Sequence, residues 1–508
     1  MKTALISVYD KSGVVELAQE LKQLGWQLLS TGGTYKTLSD AGLEVVEVSS
    51  LTQFPELFSG RVKTLHPKIF GGILYRRDNE QDVSDVKANQ LPSIDLVVNT
   101  LYPFEETIKK ENITLDQVIE QIDVGGPSMI RAAAKNFKDV TIITDPSDYP
   151  QLIEQLKQNG NTTLEQRQYY AMKAFSVTAY YDALISQYFN ELNHEQLPET
   201  LVLGYKKLDS LRYGENPHQQ AASYVKSEVK PSFIMAAKQL HGKALSFNNI
   251  YDANGAVKIV KEFNEPTAVA IKHANPCGVG SADNIFDAYQ KAYECDTESI
   301  FGGIVALNRP VEKDLAEKLS EIFLEIVIAP KFTDEALEVL TKKKNIRLLE
   351  LDTLQQDHES LAYKQVEGGL LVQETDVKLH DKFETVTDLS VDEQTKKDLE
   401  FAWKVAKHIS SNGVVLVKDN ATIGLGLGFV NRYFATQEAL LRAGKKAQGA
   451  VLGSDGFFPF PDSMQALGAA GVKAVIQPGG SIKDNEVIKE ANNQKITMVL
   501  TGMRHFRH

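Results

Sequence analysis

Short apolar runs alternate with amphipathic helical stretches along nearly the whole chain, and this alternation restricts the fold more than any other feature. Thr3–Val8 is an apolar run, and Lys11–Gly25 carries apolar residues at helical spacing before stopping at a glycine. Trp26–Leu29 follows as a second strand candidate, Tyr35–Ala41 as a helix and Leu43–Val48 as a third strand. Ile94–Asn99 and Val140–Thr144 continue the series. Apolar strands separated by helices belong to a parallel sheet covered on both faces. An α/β fold with a doubly wound parallel sheet is therefore expected for the N-terminal part.

A long helical stretch over Leu164–Phe189 runs into the polar segment Asn190–Thr200. A boundary there divides the chain into residues 1–195 and 196–508. The second part alternates again. Strands are expected at Ala268–Lys272, Gly303–Leu307, Ile326–Ala329, Leu370–Gln373, Val414–Lys418, Ala450–Leu452, Lys473–Ile476 and Thr497–Leu500. Roughly 300 residues exceed one core, so two similar α/β lobes are expected. No short repeat period is present, which excludes a solenoid.

The 508 residues are 43% hydrophobic and 24% charged, which excludes disorder as the main state. The net charge of −12 argues against nucleic acid as a partner and leaves room for small anions held by local basic clusters. Cys277 and Cys295 fit neither a disulfide framework nor a CxxC metal pair, so a reducing compartment is expected. No apolar run reaches about 18 residues, and charge comes early in MKTALISVYDK. Neither a membrane helix nor a signal peptide is expected, and the default location is the cytoplasm.

Several segments carry candidate chemistry. Ser30-Thr31-Gly32-Gly33-Thr34 joins a strand to a helix, where free N–H groups favour a phosphate. Arg61, Lys63, His66 and Lys68 fall within eight residues with no acid between them, which suits an anionic ligand. Asp123 and two glycines open a helix that carries Arg131 and Lys135 on one face. Leu211–Gln219 (LRYGENPHQ) concentrates side-chain donors around a turn. Ala268–Gly280 runs a buried-type strand into Lys272-His273 and then a Pro-Gly turn, the strand end where α/β folds place chemistry. Pro276-Cys277 lacks the second Cys and the HxE of a zinc deaminase, so no zinc and no other catalytic metal is expected. Gly424-Leu-Gly-Leu-Gly428 is not GxGxxG, and Arg432 after it is the better anion candidate. The terminal Arg504-His-Phe-Arg-His508 directly follows a strand, as a docked segment would.

Taken in order, SVYDKSG, STGGT, GRVKTLHPKIFGGIL, NTLYPF, QIDVGGPSMIRAAAKN, LRYGENPHQ, KALSFNN, IKHANPCG, SDGFFPFPD and the RHFRH end resemble the bifunctional purine-biosynthesis family that joins AICAR formyltransferase to IMP cyclohydrolase. The resemblance spans essentially the whole chain. It implies a methylglyoxal-synthase-like N-terminal domain that closes formyl-AICAR to IMP. It implies two C-terminal cytidine-deaminase-like lobes, without zinc, that move a formyl group from 10-formyltetrahydrofolate to AICAR. It also implies an intertwined homodimer with formyltransferase sites at the subunit interface. A bound monovalent cation is left open.

Carried over residue by residue, the resemblance implies that Tyr9, Asp10, Lys11, Ser30, Thr31, Gly32 and Gly33 hold the cyclohydrolase nucleotide. Arg61, Val62 and Thr64 would do the same, with Lys63 polarising the formyl oxygen. Asn99 and Thr100 precede Tyr102, a proton-relay group, and Asp123, Val124 and Lys135 complete the site with Lys135 as acid/base. In the transferase, His273 would take the amine proton and Lys272 would stabilise the tetrahedral oxyanion or assist the folate leaving group. Arg212, Tyr213, Gly302, Glu325, Asn412, Arg432, Phe457 and Arg504 would bind AICAR, with Tyr433, Ser481 and Ile482 near the folate. One departure stands out. Where the family pattern resembles GQxSR, this chain reads Gly428-Phe429-Val430-Asn431-Arg432, keeping the arginine and replacing the Gln and Ser. Two other readings compete: a non-catalytic nucleotide sensor, against which Lys272-His273 speaks, and a nicotinamide oxidoreductase, whose fingerprint is missing. With anionic ligands, an acidic protein must gather Arg61, Lys63, Lys135, Arg212, Lys272, Arg432 and Arg504 locally.

Overall fold

The computed structural model describes residues 1–508, apart from the side chain of Ser59. The chain forms two compact units, Met1–Tyr205 and Lys206–His508. The boundary between them, at 205/206, lies ten residues beyond the expected 195/196.

Five parallel strands build the first unit: β1 (Thr3–Val8), β2 (Gln27–Ser30), β3 (Val46–Glu47), β4 (Leu96–Thr100) and β5 (Thr141–Ile143). Their order is β3-β2-β1-β4-β5. β1 and β4 are buried on both faces, as their unbroken apolar runs require. Leucines and alanines of the helix Val14–Gln23 and the small residues of Gly125–Lys135 fill the same core. Only Val46 and Glu47 of the expected third strand pair with β2, because this edge of the sheet is half-exposed. The helix Leu164–Leu192 starts with a capping box, Thr163 with Gln166, and lays Tyr170, Ala171 and Ala174 on the core.

The second unit opens with an exposed hairpin, β6 (Lys206–Leu211) and β7 (Ala221–Val225). Its main sheet uses β8 (Lys238–His241), β9 (Thr267–Lys272), β10 (Asn275–Ser281), β11 (Ile304–Leu307), β12 (Ile326–Ala329) and β13 (Arg347–Glu350). A second exposed hairpin, β14 (Leu361–Val366) and β15 (Gly369–Glu374), contains the expected Leu370–Gln373 strand but stands outside that sheet. The sheet resumes with β16 (Glu384–Thr385), β17 (Val414–Lys418), β18 (Ala421–Gly426), β19 (Val451–Ser454), β20 (Ala474–Gln477) and β21 (Thr497–Leu500).

Those twelve strands run β16-β21-β20-β19-β17-β18-β10-β9-β11-β12-β13-β8. Read outward from the β18–β10 pair, the order is the same on both sides. The helices repeat too: Phe247–Val260, Ile285–Tyr293, Lys313–Leu319 and Asp334–Leu340 in one half match Glu393–Ala406, Arg432–Ala443, Asp462–Ala469 and Asp484–Asn493 in the other. Two similar α/β lobes are thus present, but they share one continuous sheet, and each element recurs about 150 residues later. The helices Phe247–Val260 and Glu393–Ala406 cover one face together around Trp403 and Val260.

The structure explains the alternating glycines. A Cβ on Gly424 or Gly426 would overlap the carbonyl oxygens of Ala439 and Ala435 in the helix Arg432–Ala443. Gly278 and Gly280 meet Ala292 and Ala288 in the same way. These glycines let helix backbone lie on strand backbone. The segment expected as a Pro-Gly turn after Lys272 is strand β10, because Asn275 already pairs with Lys272.

Gly426→Ala is expected to lower stability by about 1–3 kcal/mol in urea unfolding, since neither backbone can yield. Gly369→Ala, whose Cβ would meet only Val366 Cγ2 at 3.9 Å in the exposed hairpin, is expected to stay within about 0.5 kcal/mol.

Candidate functional site

In the first unit the sheet order reverses between β1 and β4, and the crevice at their carboxyl ends is where an open α/β sheet places ligands. A cavity of about 650 Å³ opens there. Tyr9 and Lys11 reach it from the loop after β1, Asn99 and Thr100 from the end of β4, and Tyr102 from just beyond. Thr31 and Gly33 line it at the start of the helix Gly32–Asp40, whose cap Thr31 makes no side-chain bond to the first turn. The N–H groups of that turn are therefore left for an anion.

Arg61, Lys63, Thr64, Asp123 and Val124 complete the wall. Lys63 Nζ donates to the Tyr102 hydroxyl at 3.4 Å and lies 3.5 Å from where a Gly32 Cβ would stand. Lys11 donates to the Val8 carbonyl and to Thr34 Oγ1; burial and the Lys63 charge push its ammonium below the usual lysine range, with Asp10 opposing. Burial pushes the Asp123 carboxyl up, against the pull of the Gly126 N–H (2.7 Å), the Tyr102 backbone and the Lys63 charge. A raised carboxyl beside an ammonium and a phenol is equipped for proton transfer. Asn99 is 2% exposed, and its Oδ1 has no partner among the described residues. A buried acceptor in a cavity wall is suited to a ligand N–H.

Other expected residues fall outside this wall. Ser30 is buried and donates to the Ile6 carbonyl, Asp10 accepts from the Ser12 N–H, and Val62 bridges to Leu57. Gly32 adjoins the site through Lys63. His66 caps the helix Pro67–Leu74 and Lys68 donates to the Leu51 carbonyl, so two members of the basic cluster serve structure. Arg131 lies over the Phe175 ring. Lys135 is exposed at the far end of the helix Gly125–Lys135, about 15 Å from its start. The helix that supplies the acid thus turns its cations away.

In the second unit, a cavity of about 350 Å³ is lined by Lys272, His273, Asn275, Pro276, Leu425, Leu427 and Phe429, with Asp296, Glu438 and Arg442 also in its wall. His273 is exposed and Lys272 Nζ donates to the Phe301 carbonyl at 2.9 Å. Burial pushes the Cys277 thiol up to about 12 and the Cys295 thiol up to about 11, so neither is a nucleophile at neutral pH. A second cavity, about 290 Å³, is lined by Asn412, Arg432, Tyr433, Phe457, Phe460 and Phe506. Arg432 is 5% exposed and donates to Asp455, to Ser454 Oγ at 2.8 Å and to Asn412 Oδ1 at 2.6 Å. Buried charge of this kind needs its partner, so Arg432 orders Asn412 as much as it offers positive charge.

The two cavities share a backbone segment. Asn275 Oδ1 accepts from the Ser410 N–H (3.3 Å) and hydroxyl (3.1 Å), and Asn412 pairs with Phe429 through both backbone groups. The family departure is accommodated here. Asn431 caps the helix Arg432–Ala443 through the Tyr433 N–H, as a serine would, and Phe429 keeps its contacts through backbone. The C-terminal segment is docked: His505 is 1% exposed, packs its ring at a tilt of 54° against Trp403, and bonds Asp376 and the Leu379 carbonyl.

Arg212 and Tyr213 sit in the turn of the β6–β7 hairpin, outside both cavities. Gly302 follows the carbonyl that Lys272 holds, and Glu325 is engaged by Arg347 at 2.6 Å. Ser481 caps its own loop, Ile482 is fully exposed, and Arg504 lies over the Phe506 ring. Asp455 and Asn275 were not singled out from sequence. Asp455 could have been found by asking which carboxylate a buried Arg432 requires.

A family model described as the AICARFT/IMPCHase bienzyme matches residues 133–442, and one described as an MGS-like domain matches residues 13–128. The chain is similar to "Bifunctional purine biosynthesis protein PurH" of Thermoanaerobacter sp. (strain X514), 54% identical over 509 residues and 100% of each chain. It is 52% identical to the protein of that name from Acetivibrio thermocellus and 50% to that from Bacillus subtilis (strain 168), again over 100% of each chain.

Asn99→Leu removes the unpartnered oxygen at similar volume. The free protein is expected to keep or raise its thermal midpoint, while the gain on adding a purine nucleoside monophosphate shrinks. An undiminished gain would detach Asn99 from the ligand.

Proposed function

The chain belongs to the bifunctional purine-biosynthesis family that joins AICAR formyltransferase to IMP cyclohydrolase, and from that premise we propose how its residues divide the work. It transfers a formyl group from a folate to AICAR and closes formyl-AICAR to IMP with loss of water.

Residues 1–195 perform the closure, on a methylglyoxal-synthase-like fold. The ligand phosphate sits at the start of the helix Gly32–Asp40 and the base reaches Asn99. The carboxamide nitrogen attacks the formyl carbon; Lys63 and Tyr102 stabilise the charge growing on the formyl oxygen. Asp123 moves one carboxamide proton to that oxygen, giving a ring hydroxyl; the hydroxyl then takes a second proton and leaves as water as the former formamide nitrogen gives up its N–H proton and the C=N bond forms. Tyr9, Lys11, Thr31, Gly33, Arg61, Thr64, Thr100 and Val124 hold the nucleotide; support for Asp10, Ser30, Gly32 and Val62 is the resemblance and adjacency. The acid/base role of Lys135 rests on the resemblance alone, and unchanged closure in Lys135→Ala would remove it.

Residues 196–508 perform the transfer, on two cytidine-deaminase-like lobes. The observation that carries this reading is His273 in a cavity wall beside Lys272, with Asn275 tying its turn to Ser410–Asn412. His273 takes the proton of the AICAR amine as the nitrogen attacks the formyl carbon. Lys272 stabilises the tetrahedral oxyanion until it collapses and the folate nitrogen departs, taking the proton that His273 accepted. Asn412, Arg432, Phe457 and Arg504 bind AICAR, joined by Arg212, Tyr213, Gly302 and Glu325. Pro276, Leu425, Leu427 and Phe429 form an apolar wall that fits the flat ring of 10-formyltetrahydrofolate, with Tyr433, Ser481 and Ile482 at its approach. A monovalent cation is a further ligand to test.

The chain acts as a homodimer in the cytoplasm. Support for the dimer is the exposure of Tyr224, Phe247 and Tyr251 around an apolar groove. No helix among the described residues is long and apolar enough to cross a membrane.

With AICAR and 10-formyltetrahydrofolate, the purified protein is expected to yield IMP. His273→Ala should lower formyl transfer by about 10²–10⁴-fold and leave closure of supplied formyl-AICAR intact. Lys63→Ala should do the reverse, by about 10²–10³-fold, with formyl-AICAR accumulating. Loss of both activities in either folded variant would refute the two-site division.

A further inference from the structure

We propose that Asp252 is a positioning residue for formyl transfer: its carboxylate, on the helix Phe247–Val260, holds the turn His273–Ala274 and thereby aims the His273 ring. The inference rests on the reading of His273 as the group that takes the amine proton.

β9 and β10 are joined by two residues, His273 and Ala274, both left-handed with φ of 56° and 59°. Two-residue hairpins of this shape are normally built from Asn-Gly or Asp-Gly, which adopt positive φ readily. A histidine and an alanine need outside support to stay there.

The other half of the sheet shows what that support is. β17 and β18 are joined by Asp419 and Asn420, with φ of 56° and 55°. There Asp398, on the helix Glu393–Ala406 and 1% exposed, accepts from the N–H of Asp419 at 3.3 Å and of Asn420 at 2.8 Å. Asp252 occupies the matching position on the matching helix and faces the N–H groups of Ala274 and His273, without closing hydrogen bonds as short as those of Asp398. Gly255, one turn further along, brings that helix close: a Cβ there would lie 3.6 Å from the Ala274 carbonyl oxygen. The preceding lysines correspond as well. Lys272 donates to the Phe301 carbonyl and Lys418 to that of Gln448, both at 2.9 Å, and each acceptor precedes a glycine with φ of 73° or 74°.

The same scaffold therefore stands in both halves, and only one of them carries a histidine on the turn. Asp and Asn adopt positive φ readily and alanine does not, so the turn that contains Ala274 depends more heavily on its carboxylate than the turn Asp419–Asn420 does. Asp252 also places negative charge beside His273. The other charged groups around His273 are Lys272 on its own strand and, in the cavity wall, Asp296, Glu438 and Arg442, where Arg442 pairs with both acids at 3.1 and 2.7 Å.

The test uses the full chain with both activities measured. Asp252→Asn should lower kcat for formyl transfer by up to about 100-fold with little change in KM for AICAR, since the base is misaimed rather than lost. Its acid limb in kcat/KM should move to lower pH, because removing a carboxylate favours the neutral imidazole. Asp252→Glu should restore part of the rate. Closure of formyl-AICAR should be unchanged, which reports a folded chain. Asp398→Asn should lower the thermal midpoint and leave the acid limb in place. If His273→Ala keeps formyl transfer, the base reading fails and this inference with it. If His273→Ala is inactive while Asp252→Asn keeps kcat and the acid limb, the positioning role alone is overturned. It is equally overturned if Asp252→Asn merely behaves like Asp398→Asn.

Discussion

Direct contact between strand backbone and helix backbone is the constraint on which the second unit depends. Gly278 and Gly280 on β10 and Gly424 and Gly426 on β18 let alanine-bearing turns of two helices rest on the middle of a twelve-stranded sheet. Bulkier strands would hold those helices off and open voids that a core at native density does not tolerate. With the helices seated, β10 and β18 pair at the centre, and the turns that end β9 and β17 fall at fixed positions beside the helices Phe247–Val260 and Glu393–Ala406. The placement of Lys272-His273 in a cavity wall and the ordering of Asn412 by Arg432 and Asp455 are both downstream of that seam.

The first unit solves a related problem by different means. Its ligands are anions and its net environment is acidic, so positive character has to be local. An uncapped helix start supplies part of it without any charged side chain, and Lys11 and Lys63 supply the rest at close range. Their mutual repulsion and burial weaken the Lys11 ammonium, and Asp123 answers with a carboxyl pushed up by burial. Such a group set is costly to assemble without a ligand and is kept in place by the buried parallel strands on which it is mounted.

Much of this was legible in the sequence. The apolar runs of β1, β4, β11, β12, β17 and β20 announce themselves, because a strand covered on both faces has no polar side to hide it. STGGT, Asp123 and Lys272-His273 stood out because each combines a strand end or helix start with a polar or charged residue, Lys63 stood out by its basic neighbours, and all of these segments line cavities. The duplication of the second unit was not legible. It is carried by element order and by glycine–alanine contacts rather than by matching residues. β10 was hidden for a related reason: NPCGVG looks like a turn, and only pairing with β9 and β18 makes it a central strand. Charge was the least reliable guide. His66, Lys68 and Arg131 looked like ligands and turned out to cap a helix, brace a loop and cover a ring.

The sequence by itself determined the α/β class, the division into two parts and the family, since those follow from local periodicity and from contiguous motifs. The tertiary structure decided which of the basic residues converge, that Arg432 is engaged partly by Asp455, and that His273 stands on a left-handed turn. Those outcomes depend on contacts between residues far apart in the chain. Burial, which sets both charge pairing and backbone strain, is a property of the packed molecule and not of any one segment.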